Sequence, residues 1–239
     1  MKQIKLIGII FFMYILGICT VSANNVNSEI KFHPIKHATM VIESKAVTIY
    51  VDPVEDPKVF TQYPKPDIIL ITDIHRDHLN KEIIDKIKQS NTLIIATKDA
   101  VAKLGEGKIL NNGESLNHNG INIKAIPAYN LTEDRLKFHP KGRGNGYLIT
   151  MSGKRIYISG DTEDIPEMRM LEDIDYAFIC MNLPYTMTEA QAASAVLEFK
   201  PKEVIPYHYR GKNGFSDIDK FKKMVEKDGD IQVNTLSWY

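Results

Sequence analysis

The chain has 239 residues, 44% of them hydrophobic and 25% charged, which suits one globular domain with a substantial core. Its 30 basic residues balance 30 acidic ones. With no basic tract and no added binding domain, that balance argues against a nucleic-acid-processing protein.

The N-terminus reads as a secretory signal peptide. Lys2 and Lys5 precede an apolar run from Leu6 to Ile18, and Val21-Ser22-Ala23 supplies the small residues at which a signal peptidase cuts. The run is short for a span of ~20 residues. Residues 1–23 are therefore set apart from a single domain over 24–239, with no stable membrane span in the mature chain. That mature chain is expected outside the cytoplasm, in a periplasm or the medium. Lipoprotein anchoring at Cys19 is the lesser alternative, because Ile18 is a poor match to the small residue a lipobox prefers. Cys180 would then be the sole cysteine, which excludes an internal disulfide. In Tyr176-Ala177-Phe178-Ile179-Cys180 it reads as a buried strand residue.

Beyond the leader, short strands and helices alternate without repeats or a linker. Thr39–Glu43 and Val47–Val51 predict a hairpin around Ser44-Lys45-Ala46. Ile68–Ile71, short and rich in β-branched residues after Pro66-Asp67, predicts a buried strand. Asn80 caps a helix reaching to about residue 89, with Glu82 where the helix dipole favours a carboxylate. Leu93–Ala96 predicts a strand and Lys98–Leu104 a helix. Ile121–Ile126, Tyr147–Met151 and Arg155–Ser159 are strand-like. The run Phe138-His139-Pro140-Lys141-Gly142-Arg143-Gly144-Asn145-Gly146 reads as a loop whose glycines give mobility or let backbone approach a substrate. Thr188 caps a helix through Phe199, followed by a strand at Val204–Pro206, a helix at Ser216–Lys227 and a strand at Ile231–Asn234. Hairpins and strand–helix units in both halves are compatible with an α+β protein of two sheets packed between helices, which is as far as the elements alone reach.

The densest chemistry lies between the strand at 68–71 and the helix at 80. Asp73, His75, Asp77 and His78 fall within six positions. Alternation sends Asp73, His75 and Asp77 to one side of an extended backbone, and a turn can bring His78 round to join them. Imidazole and carboxylate donors packed this closely suit a metal ion, each supplying a lone pair at about 2.0–2.2 Å from zinc.

This turn resembles the His-x-His-x-Asp-His signature of the metallo-β-lactamase superfamily, and the likeness continues in order along the chain. Lys36-His37-Ala38-Thr39-Met40-Val41-Ile42 and Ile49-Tyr50-Val51-Asp52-Pro53 resemble the opening hairpin of the branch that includes ascorbate-6-phosphate lactonase. Ile126-Pro127-Ala128-Tyr129-Asn130 stands at the third histidine motif. Ile158-Ser159-Gly160-Asp161-Thr162 is similar to the segment whose aspartate bridges two metals, and Ile205-Pro206-Tyr207-His208-Tyr209 to the last histidine motif. The resemblance implies a four-layer αββα sandwich. It also implies one metal site from Asp77, His78, His208 and bridging Asp161. The other site would use His75, with Asp73 and Asn130 replacing two family histidines. Carboxylate and amide oxygens still serve harder cations. The likeness also brings His37 near the pocket. Asp77, Asp73 and His37 are the candidate catalytic groups, Asp73 as a base or water-orienting residue.

A metal so held lowers the pKa of bound water from about 15.7 towards about 7 and polarises the bond under attack. No serine or cysteine nucleophile stands out. The sequence thus points to an exported metal-dependent hydrolase using metal-activated hydroxide on a lactone or phosphodiester-type substrate. The alternative is a metal-binding protein of the same fold with little or no turnover, which the two ligand replacements favour. One or two divalent ions are expected, zinc foremost and manganese competitive at the weaker site. The expected partner is a small molecule, for which Arg210 would suit an anionic group; nucleic acid is not expected, and no oligomeric state is implied.

Overall fold

The computed structural model of the protein describes residues 29–227 and 229–239. Residues 1–23, which the sequence reads as a signal peptide, and with them Cys19, lie outside the described residues. One sheet carries six strands in chain order: β1 (Lys31–Lys36), β2 (Thr39–Glu43), β3 (Thr48–Val51), β4 (Ile68–Leu70), β5 (Leu93–Ala96) and β6 (Lys108–Ile109). The second sheet carries β7 (Ser115–His118), β8 (Ile121–Ala128), β9 (Gly144–Met151), β10 (Lys154–Ile158), β11 (Tyr176–Cys180) and β12 (Glu203–Tyr207). A small hairpin, β13 (Arg210–Gly211) and β14 (Gly214–Phe215), follows, and β15 (Gln232–Val233) pairs with β12 at the edge of the second sheet. The helices are α1 (Lys81–Ile87), α2 (Lys98–Leu104), α3 (Pro166–Arg169), α4 (Glu189–Phe199) and α5 (Ile218–Glu226).

Two apolar clusters explain the layers. Met40, Ile42, Ile49, Ile68 and Leu70 of the first sheet pack with Ile123, Tyr147, Ile149 and Ile156 of the second. On the other face of the first sheet, Val41, Tyr50, Ile69 and Ile71 pack under Ile84 and Ile87 of α1 and Ala100 and Leu104 of α2. Helix α4 covers the second sheet, with Phe199 edge-on to Tyr157. This is the expected αββα sandwich. Ile68, Ile69 and Leu70 are fully buried because β4 faces core on both sides, which is why its sequence does not alternate. Each such side chain contributes about 1.5–3 kcal/mol of burial. The Tyr147 hydroxyl stitches the sheets together by donating to the Ile71 carbonyl at 2.8 Å.

Three departures from the sequence reading have physical causes. Strands β1 and β7 are edge strands, where lysine, proline and polar residues carry no apolar signature. Strand β9 begins at Gly144 rather than Tyr147, so its glycines belong to the sheet and not to a mobile loop. A Cβ on Gly146 would lie 2.7 Å from the Ser159 carbonyl oxygen, and that close approach demands glycine. Helices α1 and α5 are shorter than expected. Helix α1 stops at Ile87 because the Lys88 backbone is extended, and α5 begins only after Asp217, whose side chain accepts from the Lys220 amide.

Strands β3, β4, β8, β10, β11 and β12 all end at one rim of the sandwich, since the parallel pairings β3–β4 and β10–β11–β12 align their C-terminal ends. The candidate site occupies that rim, where loops leaving the strands are free to converge.

Candidate metal centre

The turn after β4 is shaped by its own polar groups. The His75 amide donates to Asp73 Oδ1 at 3.0 Å, and the amides of His78 and Leu79 both donate to the His75 carbonyl, at 3.1 and 2.9 Å. This single turn carries His78 round towards Asp161, away from the Asp73–His75 pair, and leaves Asp77 half-exposed at the cleft. His78 is then locked from behind. Asp52, at the end of β3, accepts from the Thr72 amide at 2.8 Å and lies 2.8 Å from His78 Nδ1. With Nδ1 donating to Asp52, the His78 Nε2 lone pair faces the cleft. A carboxylate behind a ring nitrogen is the usual means of orienting a metal-binding histidine.

Asp161, on the turn after β10, is the hub. Its Oδ2 lies 3.4 Å from His78 Nε2 and 3.1 Å from His139 Nε2, and its Oδ1 lies 3.3 Å from His208 Nε2. Asp77, His78 and His208 form one ligand group; Asp73, His75 and His139 form a second, each with its ligand atoms within 4.8 Å of one another. Asp161 reaches both. Burial alone would raise the Asp161 pKa, but His208, His78 and His139 outweigh it and hold the carboxyl well below the ordinary carboxylate range. Burial would lower the pKa of His78, yet Asp161 and Asp52 hold it well above the usual histidine value.

A third imidazole, His139 from the loop after β8, completes the second group, and the side-chain oxygen of Asn130 is buried without a hydrogen-bond partner among the described residues. Asn130 Nδ2 donates to the carbonyls of Arg135 at 2.9 Å and Tyr185 at 2.7 Å, and its backbone amide donates to the His139 carbonyl at 2.8 Å. It closes the loop that presents the histidine. His139 Nδ1 lies 3.0 Å from the Tyr185 carbonyl, so its Nε2 lone pair is turned to the cleft as in His78. Glu163, fully buried, ties this loop to the Asp161 turn by accepting from the amides of Leu131 and Thr132, both at 2.6 Å, and from Arg135 Nη1.

Arg143 at the start of β9 also enters the centre. Its Nη2 lies 3.2 Å from Asp73 Oδ2 and 3.3 Å from His75 Nε2, which places a guanidinium against two groups of the second set. His37, in the turn between β1 and β2, stands edge-on to the His208 ring with centroids 5.5 Å apart, and its Nδ1 is 3.2 Å from the Tyr239 hydroxyl. Burial, and next the neighbouring His208, lower its pKa to about 4. It flanks the centre rather than joining either ligand group.

Asp52, His139, Arg143 and Glu163 were not singled out as site residues by sequence reading. The Asp52-Pro53 pair ending a strand was a usable signal for the first. His139 was visible only as a histidine in a glycine-containing loop.

The residues fit a divalent ion. Among the described residues His78 Nε2, His139 Nε2 and Asp161 Oδ1 are buried without a hydrogen-bond partner, and both imidazole nitrogens lie within 3.4 Å of the Asp161 carboxylate. Buried polar atoms are seldom left unpaired, and a cation between them would satisfy all three. The adjoining cleft, about 360 Å³ and bordered by Arg76, Phe138 and Tyr185 among others, has the size of a small-molecule site.

Residues 30–208 match the family described as the beta-lactamase superfamily domain. A UPF0173 metal-dependent hydrolase of Ligilactobacillus salivarius is 33% identical over 209 residues, covering 80% of this chain and 91% of its own. A solved structure from Parabacteroides distasonis is 45% identical, with a TM-score of 0.80 over 87% of this chain and 93% of that one. A metallo-β-lactamase fold protein from Bacillus subtilis, 14% identical, has a TM-score of 0.69 over 86% of this chain and 91% of its own and shares the fold. The chain belongs to the β-lactamase superfamily and, within it, to the UPF0173 metal-dependent hydrolases.

Proposed function

We propose that the protein is exported and hydrolyses a small lactone or phosphodiester-type substrate. The observation that carries the hydrolytic reading is Asp161, one carboxylate set between two imidazole–carboxylate groups. Zinc is the expected ion at Asp77, His78, His208 and Asp161, which offer two imidazoles and two carboxylates. Asp73, His75 and His139 with Asp161 offer the same donor types, and the Arg143 guanidinium against Asp73 and His75 makes this the weaker position. A bound divalent ion supplies an acidic water and a Lewis acid for the oxygen under attack.

The chain's own groups do the rest. Asp77 is half-exposed, with Oδ2 3.5 Å from His208 Nε2, and can orient the attacking water and accept its proton. Asp73 is engaged by Arg143 and by His75 Nδ1 at 3.0 Å, so it orients neighbours rather than acting as a base. Arg76 at the cleft suits an anionic group on the substrate. Export is supported by the Lys2–Ala23 segment alone, and an N-terminus at Asn24 on protein recovered outside the cytoplasm tests it.

A second reading, a metal-binding protein with little turnover, is favoured by Arg143. A guanidinium on Asp73 and His75 takes lone pairs that a second ion would need. Metal analysis of Asp161→Ala and His208→Ala, with a screen of lactones, phosphodiesters and phosphomonoesters, separates these readings. Both variants should lose the tightly held ion, and full retention in both would overturn the assignment of the centre.

A further inference from the structure

We propose that Asn182 is a further catalytic residue: its side-chain Nδ2 donates a hydrogen bond to the substrate oxygen that gains negative charge as water attacks. The proposal rests on the hydrolase reading above and goes beyond it to a residue outside both ligand groups.

Asn182 follows the end of β11, is 2% exposed, and borders the same cleft as Asp161 and His139. Its amide has a defined orientation. The Asn182 backbone N–H donates to Thr186 Oγ1 at 3.0 Å, which leaves the hydroxyl proton free to donate to Asn182 Oδ1, and that second hydrogen bond is present. With Oδ1 accepting from Thr186, Nδ2 is the atom left facing the cleft. Among the described residues its hydrogen-bonding neighbour there is His208 Nε2, at 3.3 Å. That ring nitrogen is the one assigned to the metal, and a lone pair given to an ion does not also accept a proton. In the loaded protein Nδ2 is therefore a buried donor beside the reacting centre without a protein acceptor, and a substrate oxygen is the group that would satisfy it.

The donor is also rigidly held. The amides of Tyr185 and Thr186 both donate to the Asn182 carbonyl, at 2.9 and 3.3 Å. Lys212 N–H donates to the Leu183 carbonyl at 3.0 Å, and Ser216 Oγ donates to the Met181 carbonyl. Gly211 packs so closely that a Cβ there would lie 1.9 Å from the Leu183 oxygen. A donor fixed in this way needs no reorganisation when charge develops, which is the condition under which such hydrogen bonds speed a reaction most.

The chemistry is the same for an acyl or a phosphoryl centre. The water oxygen bonds to carbon or phosphorus and its proton passes to Asp77. The displaced electron pair moves onto the oxygen facing Nδ2. The pair then returns as the bond to the leaving alcohol breaks, and the alcohol takes up a proton.

Cobalt(II) as the metal and inorganic phosphate as the anion test this without a known substrate. Asn182→Ala should take up cobalt with the stoichiometry and visible absorption of the wild type, but bind phosphate at least tenfold more weakly in a titration of that absorption. Asn182→Asp, which keeps the shape but loses the donor, should also lose at least tenfold. Thr186→Val, which keeps the amide but frees its orientation, should fall between. Wild-type affinity for phosphate in Asn182→Ala and Asn182→Asp, or loss of cobalt from both, would overturn the proposal. So would a cobalt-loaded wild type that binds no phosphate. A wild type that takes up no cobalt would instead overturn the hydrolase reading beneath it.

Discussion

At position 73 an aspartate stands where the superfamily signature has histidine, and the structure pairs that change with Arg143. Asp73 is almost completely buried, and the guanidinium lies 3.2 Å from its Oδ2. A buried carboxylate needs a compensating charge, and an arginine beside it supplies one without a metal. Charge then argues for unequal sites. Asp73, Asp77 and Asp161 carry three negative charges, which one divalent ion and Arg143 together neutralise. A second ion must either displace the guanidinium from His75 Nε2 or bind against it. Zinc titration of the wild type should therefore show one tight and one weak site. In Arg143→Gln the weak site should tighten by about tenfold or more, the scale expected when a group contacting metal ligands is changed. Two equal, tight zinc sites in the wild type would count against this account.

Among the elements, the second sheet depends on an acidic clasp at the start of β11. Asp175 Oδ2 accepts from the Arg155 amide of β10 at 2.9 Å, while its Oδ1 lies 2.9 Å from Lys202 Nζ and 3.2 Å from Lys154 Nζ. Burial raises the Asp175 pKa, but Lys202, the Arg155 amide and Lys154 outweigh it and hold the carboxyl below its ordinary value. A depressed folded-state pKa contributes stability that is full above the unfolded value of about 3.9 and is lost as pH falls through the folded one. Both lysines are well exposed, so their share is small. Asp175→Asn should cost about 1–2 kcal/mol at pH 7, mostly through the weakened backbone hydrogen bond. Urea unfolding from neutral pH downwards should show the gap between wild type and variant closing below about pH 4. A constant gap across that range would rule out the ionic contribution.

Across the whole molecule, the candidate centre joins the two sheets. Asp52 and the 73–78 turn come from the first sheet, and Asp161, His139 and His208 from the second. An ion held between them would bind the folded state alone and stabilise it by mass action, about 2.7 kcal/mol at a hundredfold excess over Kd. For a domain of this size each kcal/mol moves Tm by roughly 2–4 °C. Chelation should therefore lower Tm by about 5–10 °C, and zinc should restore it. His208→Ala should show little change with either treatment. An unchanged wild-type Tm after chelation would mean that the ion does not couple the sheets.

What the sequence by itself determined is local. The β-branched run before the 73–78 turn, the Asn80 and Thr188 caps, and the placing of Asp161 and His208 just past strand ends follow from neighbouring residues, whose periodicity sets which way a side chain faces. The four-layer sandwich followed from the ordered likeness of the motifs to the superfamily, since the β4 run does not alternate and the edge strands β1 and β7 carry no apolar signature. Tertiary structure alone decided which distant groups meet. His139 came to lie with Asp73 and His75 because its loop is tied to the Glu163 carboxylate, a contact no spacing encodes. Arg143 reached Asp73 because β9 starts at Gly144 and runs tight against the β10 end, where glycine reads as flexibility until its neighbours are known. Asp52 met His78 through the parallel pairing of β3 with β4, and Asn182 met His208 through that of β11 with β12. Local residues set the direction of each chain segment, but only the order of strands in the sheets sets which segment ends share the rim.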